Sequence, residues 1–357
     1  MRNLIKYILD DMQVNVQKMQ IEKKSVETCP VCGSSERSSL YYDLEDNIFF
    51  CVPGKWKLFK CAKCRSAYLD PVPSPDTVHL AYSNYYTHNS KQQGNYGKLN
   101  YIKHSLYDSY CRWRFGGHFS GAALISSILI NLAPKIKKTV EDTFRNLPPL
   151  TYENSRLLDV GFGNASFLEK TKNIGWEVAG VDFDSVVVEA ALEKQLNVRQ
   201  GNIDEFLDQP ETFDIITLSH VLEHVHDPRG LIQTAFQLLK PGGWLWIETP
   251  NIESFGHDHY GRFWRGLEAP RHLILFNWST LELILRQEGY DSIVRLPKFN
   301  SYLKLASKSS LIKAGKSPYD NRELKNIERL YGNIISLRTR LNYQKTELVT
   351  LKAQKPL

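Results

Sequence analysis

The chain has 357 residues, of which 42% are hydrophobic and 24% charged, a composition typical of globular proteins with two or three domains. No apolar run approaches the length that spans a bilayer, and two aspartates interrupt the apolar start of the chain, so we expect a cytoplasmic protein without a secretion signal. The formal charge of +6 is concentrated in residues 301–357, which carry 12 Lys and Arg against four Asp and Glu, whereas the first 300 residues are slightly acidic and lack a basic stripe for nucleic acid.

Changes in composition divide the chain into consecutive segments, with proline-rich boundaries at "DPVPSP" and "NLPPLTYENS". The last segment places leucine and isoleucine at spacings of three, four or seven, which predicts an amphipathic helix. The predicted segments are residues 1–27, a helix and tether; 28–73, a cysteine-containing module; 74–150, a helical lid or linker; 151–300, an α/β domain; and 301–357, a basic amphipathic helix.

Four of the six cysteines form two CxxC pairs separated by 28 residues, Cys29 with Cys32 and Cys61 with Cys64. Each pair can offer two thiolates to one ion, and two such hairpins complete a tetrahedral zinc shell. A redox dithiol is the alternative, but it needs only one CxxC. The spacing therefore predicts a structural zinc ribbon, in which zinc substitutes for the hydrophobic core that so small a module lacks.

From residue 156 onward, apolar strand patterns alternate with helix patterns. Alternation of this kind indicates an α/β fold, with helices on both faces of a mostly parallel, doubly wound sheet. The strand patterns that lead to the motifs below are "RLLDV" at 156–160, "WEVAGVD" at 176–182, "FDIITLS" at 213–219 and "WLWIETP" at 244–250.

The first of these strands ends in Asp159 and continues through Gly161 and Gly163. Glycines at such a turn permit positive φ angles and a close approach of the backbone to a ligand. A carboxylate at Asp159 would repel a pyrophosphate but would suit a cofactor with an ammonium group, which favours S-adenosylmethionine over NAD. Asp182, at the end of the next strand, is placed to accept hydrogen bonds from ribose hydroxyls.

Four motifs in chain order, "LLDVGFGNASFLE", "GVDFD", "FDIITLSHVLEHVHDP" and "LLKPGGWLWIETPN", resemble those of class I SAM-dependent methyltransferases, especially the ubiquinone-methyltransferase-like group. The resemblance covers about residues 155–295. It implies a Rossmann-like, seven-stranded sheet and S-adenosylmethionine as the cofactor. It also implies a cofactor site that includes Phe183, Asn202, Ile203 and Ser219; the family often has aspartate where this chain has Asn202.

Methyl transfer needs positioning of the acceptor, and a base where the attacking atom carries a proton. His220 directly follows the third strand pattern and is a candidate base or acceptor contact, with Glu223 one helical turn later. A role in lining the cofactor pocket is the alternative for His220. His224 and His226 are interpreted as structural.

A long polar and aromatic insertion follows the fourth strand pattern. In similar sequences, its Trp264 and the "PRH" stretch lie over the acceptor pocket. We therefore interpret His272 as the first candidate base and Arg271 as a candidate clamp for an acceptor anion. His257, Asp258 and His259 resemble a metal triad only in composition, and a polar surface loop is the preferred interpretation. A second loop contains Tyr85, Tyr86 and His88. It is a candidate lid, but a packing role for these side chains is the preferred interpretation.

Together these features predict a zinc-ribbon methyltransferase acting on oxygen or carbon of a small-molecule or glycan-like acceptor. The ribbon also resembles that of deoxysugar C-methyltransferases, but too few residues follow position 300 for the further domain those proteins usually carry. An RNA-modifying methyltransferase and a non-catalytic SAM-binding scaffold are the alternatives. Three roles are considered for the C-terminal helix: packing on its own domain, homodimerisation, and peripheral membrane contact through its basic residues.

Overall fold

The computed structural model describes residues 21–82, 98–117, 120–150 and 155–357. Most of the helix predicted for residues 1–27 therefore lies outside the described residues, as do Tyr85, Tyr86 and His88. Residues 23–24 form a short strand rather than a helix. None of the described helices combines the length and the apolar character needed to cross a membrane.

The secondary structure alternates between short strands and helices along most of the chain. The strands are β1 Lys23–Lys24, β2 Arg37–Leu44, β3 Trp56–Cys61, β4 Ala67–Leu69, β5 Val72–Pro73, β6 Arg156–Val160, β7 Glu177–Asp182, β8 Asn197–Gln200, β9 Phe213–Ser219, β10 Leu239–Pro250, β11 Ile274–Leu275, β12 Val294–Arg295 and β13 Leu348–Gln354. The α-helices are α1 Lys98–Gly116, α2 Gly121–Asn131, α3 Pro134–Thr143, α4 Ser166–Lys172, α5 Ser185–Glu193, α6 Pro228–Leu238, α7 Phe255–Tyr260, α8 Trp278–Gln287, α9 Tyr302–Lys313 and α10 Asn326–Leu341.

The chain divides into two compact units, and it passes between them more than once. The first unit comprises residues 1–85, 220–233 and 247–353; the second unit comprises 86–219, 234–246 and 354–357. This division differs from the consecutive segments predicted above. Changes in composition along the chain indicate linkers, but they do not show that a later segment returns to an earlier unit.

In the first unit, the second CxxC hairpin joins two strands of an antiparallel sheet with the strand order β11-β4-β3-β2, and the first hairpin precedes β2 in the chain. Strands β3 and β4 enter and leave the second CxxC pair, as its sequence predicts. Strand β11, in contrast, comes from the long insertion that follows β10. The insertion therefore completes the sheet of the cysteine module, more than 200 residues after it in the chain.

The large sheet has seven strands in the order β12-β13-β10-β9-β6-β7-β8. The pairs of β6 with β7, β6 with β9 and β7 with β8 are parallel. Strand β13 is antiparallel to β12. It also runs opposite to β10, because Asn251 N–H donates to Glu347 O while Lys355 N–H donates to Gly243 O. The predicted seven-stranded, Rossmann-like α/β sheet is confirmed.

Close packing of α4 on the sheet fixes the turn after β6 in the second unit. A Cβ atom at Gly180 in β7 would lie 2.8 Å from both the Leu168 and Phe162 side chains, so only glycine fits there. Leu157 and Leu158 in β6 are fully buried, as expected for a central parallel strand. The glycine turn between β6 and α4 is thus held by buried packing on both sides.

The interpretation of residues 301–357 as one amphipathic helix is wrong in its last part. Helices α9 and α10 are present, but residues 348–354 form β13 inside the large sheet. Leu348 and Leu351 continue the leucine spacing of α10, yet both are buried in the sheet. Short apolar runs that are buried on both faces cannot be assigned to strand or helix from spacing alone.

Helix α10 keeps an exposed apolar face, with Ile327 68% and Leu337 60% exposed. Its opposite face contributes Ile335 to a small core with Tyr302 and Ala306 of α9. Packing on its own unit is therefore present. Homodimerisation through the exposed face stays a prediction.

Candidate active site

The four cysteines of the CxxC pairs lie together in the first unit, with their Sγ atoms all within 4.8 Å of one another. The Cys29 Sγ atom is 3.6 Å from that of Cys64, and the Cys32 Sγ atom is 3.5 Å from that of Cys61. Tetrahedral zinc with Zn–S bonds of about 2.3 Å needs sulfur atoms about 3.8 Å apart. The cluster therefore has the number, type and spacing of ligands for one structural zinc ion.

Backbone hydrogen bonds and a neighbouring helix hold the two cysteine hairpins. Cys29 N–H donates to Ser34 O, and Cys61 N–H donates to Ser66 O, so each hairpin closes on itself. The Thr280 hydroxyl of α8 donates to Cys64 O at 2.5 Å. A hydrogen bond from the Cys64 thiol lowers the pKa of Cys29 to about 4, which favours the thiolate that a metal requires.

We expect Cys64→Ser to lower the zinc content by about one equivalent per chain, because a serine hydroxyl is a poor zinc ligand. The melting temperature should fall by roughly 10 °C or more, since the small sheet loses its central stabilising contact. Metal analysis and calorimetry measure the two effects. Cys111→Ser, at a buried cysteine of the second unit, is the control and should keep the zinc. A Cys64→Ser variant with undiminished zinc would contradict the assignment.

The glycine turn after β6 forms a cradle at the end of two parallel strands. Gly161 and Gly163 have φ angles of 67° and 56°, in the left-handed region that favours glycine. The Asp182 carboxylate accepts hydrogen bonds from Gly163 N–H at 2.9 Å and Asp184 N–H at 3.1 Å. A Cβ atom at Gly163 would meet nothing within 4 Å, so open space borders the turn. Burial raises the pKa of Asp182.

Asp159 does not have the position that the sequence suggested. Its side chain is fully buried, and its Oδ1 atom accepts hydrogen bonds from Arg145 and, at 2.8 Å, from Thr217. The guanidinium of Arg145 lies 3.7 Å above the Phe167 ring, which fixes it beside the carboxylate. The negative charge expected to attract an ammonium group is therefore paired inside the protein, although Oδ2 has no hydrogen-bond partner within the described ranges.

The remaining predicted cofactor residues belong to the same unit. The Asn202 side-chain oxygen caps a short helical turn by accepting from Asp204 N–H at 2.7 Å. Ile203 is buried behind it, whereas Phe183 is 54% exposed. Ser219 ends β9 and is partly exposed. With the open glycine turn and the Asp182 carboxylate, these residues fit an adenosine-bearing cofactor.

His220 opens a polar cluster in the first unit, directly after β9. Its φ angle of 55° is rare for a residue with a side chain, and its imidazole is 45% exposed. The imidazole Nδ1 atom lies 3.1 Å from Glu223 Oε1, and Nε2 lies 3.7 Å from Glu248 Oε1. Partial loss of hydration disfavours the charged ring, but the hydrogen bond and charge of Glu223 and the charge of Glu248 outweigh this effect and raise the pKa of His220.

The two carboxylates beside His220 have different surroundings in the first unit. Glu248 Oε2 is 2.5 Å from the Lys298 ammonium and accepts from the Thr350 hydroxyl at 2.8 Å. Glu223 is fully buried. Burial alone would raise its pKa, but the hydrogen bond to His220 and the nearby imidazoles lower the pKa to about 2. His220 thus lies between two fixed negative charges.

His272 has surroundings that do not suit a general base. The ring is 5% exposed, and burial lowers its pKa to about 4, so it binds a proton weakly at neutral pH. Its Nδ1 atom lies 2.7 Å from Gly266 O, an acceptor, and therefore donates its proton there. The sequence interpretation of His272 as the first candidate base disagrees with this burial.

Arg271 is not available as an anion clamp. The residue is fully buried, and it forms a bidentate pair with Asp46, at 2.6 Å from Nη2 and 3.1 Å from Nη1. Its Nε atom donates to Glu268 at 3.2 Å, and Nη1 also donates to Ala81 O. All three guanidinium nitrogens therefore bind groups of the chain itself. The clamp interpretation is corrected to an internal ion pair that joins the insertion to the cysteine module.

The other histidines and Trp264 of the insertion have separate partners. His257 contacts the Tyr41 hydroxyl at 3.0 Å, while Asp258 pairs with Lys345 at 2.6 Å, so the two do not converge on one ion. Trp264 is 2% exposed, and its indole N–H donates to Glu347 at 2.9 Å. The expectation that Trp264 lies over an acceptor pocket disagrees with this buried hydrogen bond.

Several residues of these clusters were not identified from the sequence. Glu248 has a recognisable sequence signal, because it is an acid near the carboxyl end of β10, the strand that neighbours β9. Arg145, Asp46 and Lys298 carry none, because each meets its partner through the tertiary fold and not through a local motif.

Comparison with known proteins shows similarity to one family over part of the chain. Residues 132–294 match the family described as "Methyltransferase domain". The match covers slightly less than half of the chain, and this part of the chain is similar to methyltransferase domains. The match includes the glycine turn, Asp182, His220 and Glu223.

Curated relatives share part of this domain. The chain is 35% identical over 109 residues to the ubiquinone biosynthesis O-methyltransferase of Xanthomonas euvesicatoria pv. vesicatoria, covering 29% of this chain and 46% of that protein. It is 32% identical over 107 residues to the enzyme of the same name from Colwellia psychrerythraea, covering 28% and 44%. The chain therefore matches less than half the length of these relatives. Among solved structures, a SAM-dependent methyltransferase from Archaeoglobus fulgidus has 22% identity and a TM-score of 0.43, covering 62% of this chain and 94% of that one.

Proposed function

We propose that this protein transfers a methyl group from S-adenosylmethionine to an oxygen or carbon atom of a small-molecule or glycan-like acceptor, with His220 as the base. The observation that carries the proposal is the position of the His220 imidazole between Glu223 and Glu248, in the residue that directly follows β9. Ligands of open α/β sheets bind beyond the carboxyl ends of parallel strands. His220 is the first residue after the carboxyl end of β9.

The methyl donor carries its methyl group on a sulfonium, which is a good leaving group, so the protein contributes mainly position and proton transfer. The Gly161–Gly163 turn and the Asp182 carboxylate would hold the adenosine part, the carboxylate by accepting from ribose hydroxyls. His220 in its neutral form would take the proton from the acceptor atom. Glu223 and Glu248 would orient the ring and stabilise the imidazolium that forms.

The acceptor must therefore lose a proton as it gains the methyl group. A hydroxyl group, or a carbon acidified by a neighbouring carbonyl, has this property. The relatives are named O-methyltransferases, which supports oxygen over carbon. His220 is preferred to His272 as the base because it is 45% exposed, whereas His272 is buried and has a pKa of about 4.

Titration calorimetry with S-adenosylmethionine and S-adenosylhomocysteine, followed by turnover assays against phenols and sugars, tests the proposal. Formation of S-adenosylhomocysteine that depends on the acceptor supports it. Binding of the donor without turnover of any acceptor would favour a non-catalytic scaffold. Steeply salt-dependent turnover on RNA would favour the nucleic-acid alternative.

Gly163→Ala tests the cofactor cradle separately from catalysis. The new methyl group would project into the open space beside the turn, so we expect at least a roughly tenfold loss of S-adenosylmethionine affinity. The positive φ angle should cost about 1 kcal/mol of stability. Gly315→Ala is the matched control, since Gly315 also has a positive φ angle and open space around its Cβ position. Equal donor affinity in the two variants would argue against a cofactor at this turn.

A further inference from the structure

A second cluster of metal-binding side chains lies in the first unit, apart from the four cysteines. Glu223, His224 and His272 each offer one ligand atom, and these atoms all lie within 4.8 Å of one another. Glu223 and His224 lie in a short helical turn after β9, and His272 lies shortly before β11. The two imidazole rings meet edge to face, with their centroids 4.7 Å apart. No residue in this cluster belongs to the zinc ribbon.

The Glu223 carboxylate has one oxygen without a partner. Oε1 is 3.1 Å from His220 Nδ1, but the buried Oε2 has no hydrogen-bond partner among the described residues. The side chain is fully buried, so bulk solvent does not reach this atom. A buried carboxylate oxygen without a partner is destabilising unless a cation or a hydrogen-bond donor meets it. This unpaired oxygen is therefore able to act as a ligand atom for a cation.

Both imidazoles are oriented in the manner of metal ligands. His272 Nδ1 is 2.7 Å from Gly266 O, and His224 Nδ1 is 3.1 Å from Arg271 O. A carbonyl oxygen only accepts, so each Nδ1 that bonds there carries the proton and leaves Nε2 with the lone pair. Histidines that bind metals usually donate their other ring N–H to a carbonyl or carboxylate in this way. The Tyr82 hydroxyl, 2.9 Å from His224 Nδ1, further fixes that ring.

The charges around the cluster leave Glu223 uncompensated when His220 is neutral. The guanidinium of Arg271 pairs with Asp46, and that of Arg265 pairs with Glu268. Glu268 Oε2 also lies 3.5 Å from His272 Nε2, but its charge is already matched by the arginine. One bound cation would supply the positive charge that the buried Glu223 side chain lacks.

We propose that Glu223, His224 and His272 bind one divalent transition-metal ion, of the zinc, iron(II) or manganese class. Two imidazoles and one carboxylate are a common ligand set for such ions, and they leave coordination positions open for a water molecule or an acceptor oxygen. The site is separate from the four-cysteine site, whose closed shell has no open position. The proposal does not depend on the methyl-transfer activity.

Metal analysis of the untagged, full-length protein tests the proposal. After saturation with zinc and removal of the excess, we expect about two equivalents per chain, one in each cluster. Glu223→Gln should lower the content to about one equivalent, because the neutral amide is a poor ligand. His224→Asn should do the same through loss of an imidazole. Circular dichroism confirms that the variants are folded.

Glu347→Gln is the matched control, because Glu347 is a buried carboxyl of the same unit outside the cluster. It should retain both ions. Cobalt substitution of the native protein needs no variant: bands of cobalt bound by nitrogen and oxygen should accompany the thiolate charge-transfer bands. One equivalent of metal in the native protein with thiolate bands alone would overturn the proposal. So would folded Glu223→Gln and His224→Asn variants that keep two equivalents.

Discussion

Replacing Arg271 by methionine is expected to lower the free energy of unfolding by about 3–5 kcal/mol, because the change leaves the buried Asp46 carboxylate without its bidentate partner. Burial raises the pKa of Asp46, but the hydrogen bond and charge of Arg271 more than compensate and keep the pKa below its usual value. Loss of the guanidinium reverses that balance. Chemical denaturation at neutral pH measures the change.

Arg262→Met is the matched control for this prediction. Arg262 also joins the insertion to the cysteine module, through Asp43 at 2.9 Å, but both side chains are more than one-third exposed. An exposed pair contributes at most about 1 kcal/mol, so this variant should be nearly as stable as the native protein. An Arg271→Met variant with native stability and a raised acceptor KM would instead restore the interpretation of Arg271 as an anion clamp.

Replacing His220 by asparagine is expected to lower kcat by about 10²–10⁴-fold while leaving S-adenosylmethionine affinity unchanged, since a general base contributes on that order. Asparagine tolerates the positive φ angle at this position, so the variant tests the imidazole rather than the backbone. His259→Asn, at an exposed histidine, is the control and should keep native turnover. Native turnover in His220→Asn would remove His220 from the mechanism.

The pH dependence provides a second test of His220. A base acts in its deprotonated form, so activity should rise with pH through a midpoint above 6.5, because the neighbouring carboxylates raise the pKa of His220 despite the partial loss of hydration of its ring. Glu248→Gln removes one of these negative charges and should move the midpoint to lower pH. An unchanged acid limb in Glu248→Gln would show that another group titrates.

The features predicted from sequence are those whose parts lie close together in the chain. Each CxxC hairpin closes on itself within six residues, and its spacing alone indicates a metal ligand pair. The glycine turn and Asp182 follow strands that any parallel sheet would align. The histidine after β9 was identified for the same reason. Local geometry made these residues recognisable without their tertiary partners.

The roles that had to be corrected depend on partners far away in the chain. Arg271 meets Asp46 across 225 positions, and Trp264 meets Glu347 across 83. Asp159 is only 14 positions from Arg145, but a positive φ angle at Arg145 and the folding of the intervening chain bring the two together. From sequence alone, a charged residue in a polar motif can be interpreted as a ligand contact, because its partner inside the protein is not evident.

The amino-acid sequence by itself determined the α/β fold, the two CxxC pairs, the glycine turn and the position of His220 directly after β9, because these follow from hydrophobic period, backbone freedom and ligand spacing. The tertiary structure decided which charges are paired and buried, where β13 enters the sheet, and which histidine remains accessible. Burial and ion pairing depend on contacts among distant segments, and these contacts set both the pKa of a group and its freedom to meet a substrate.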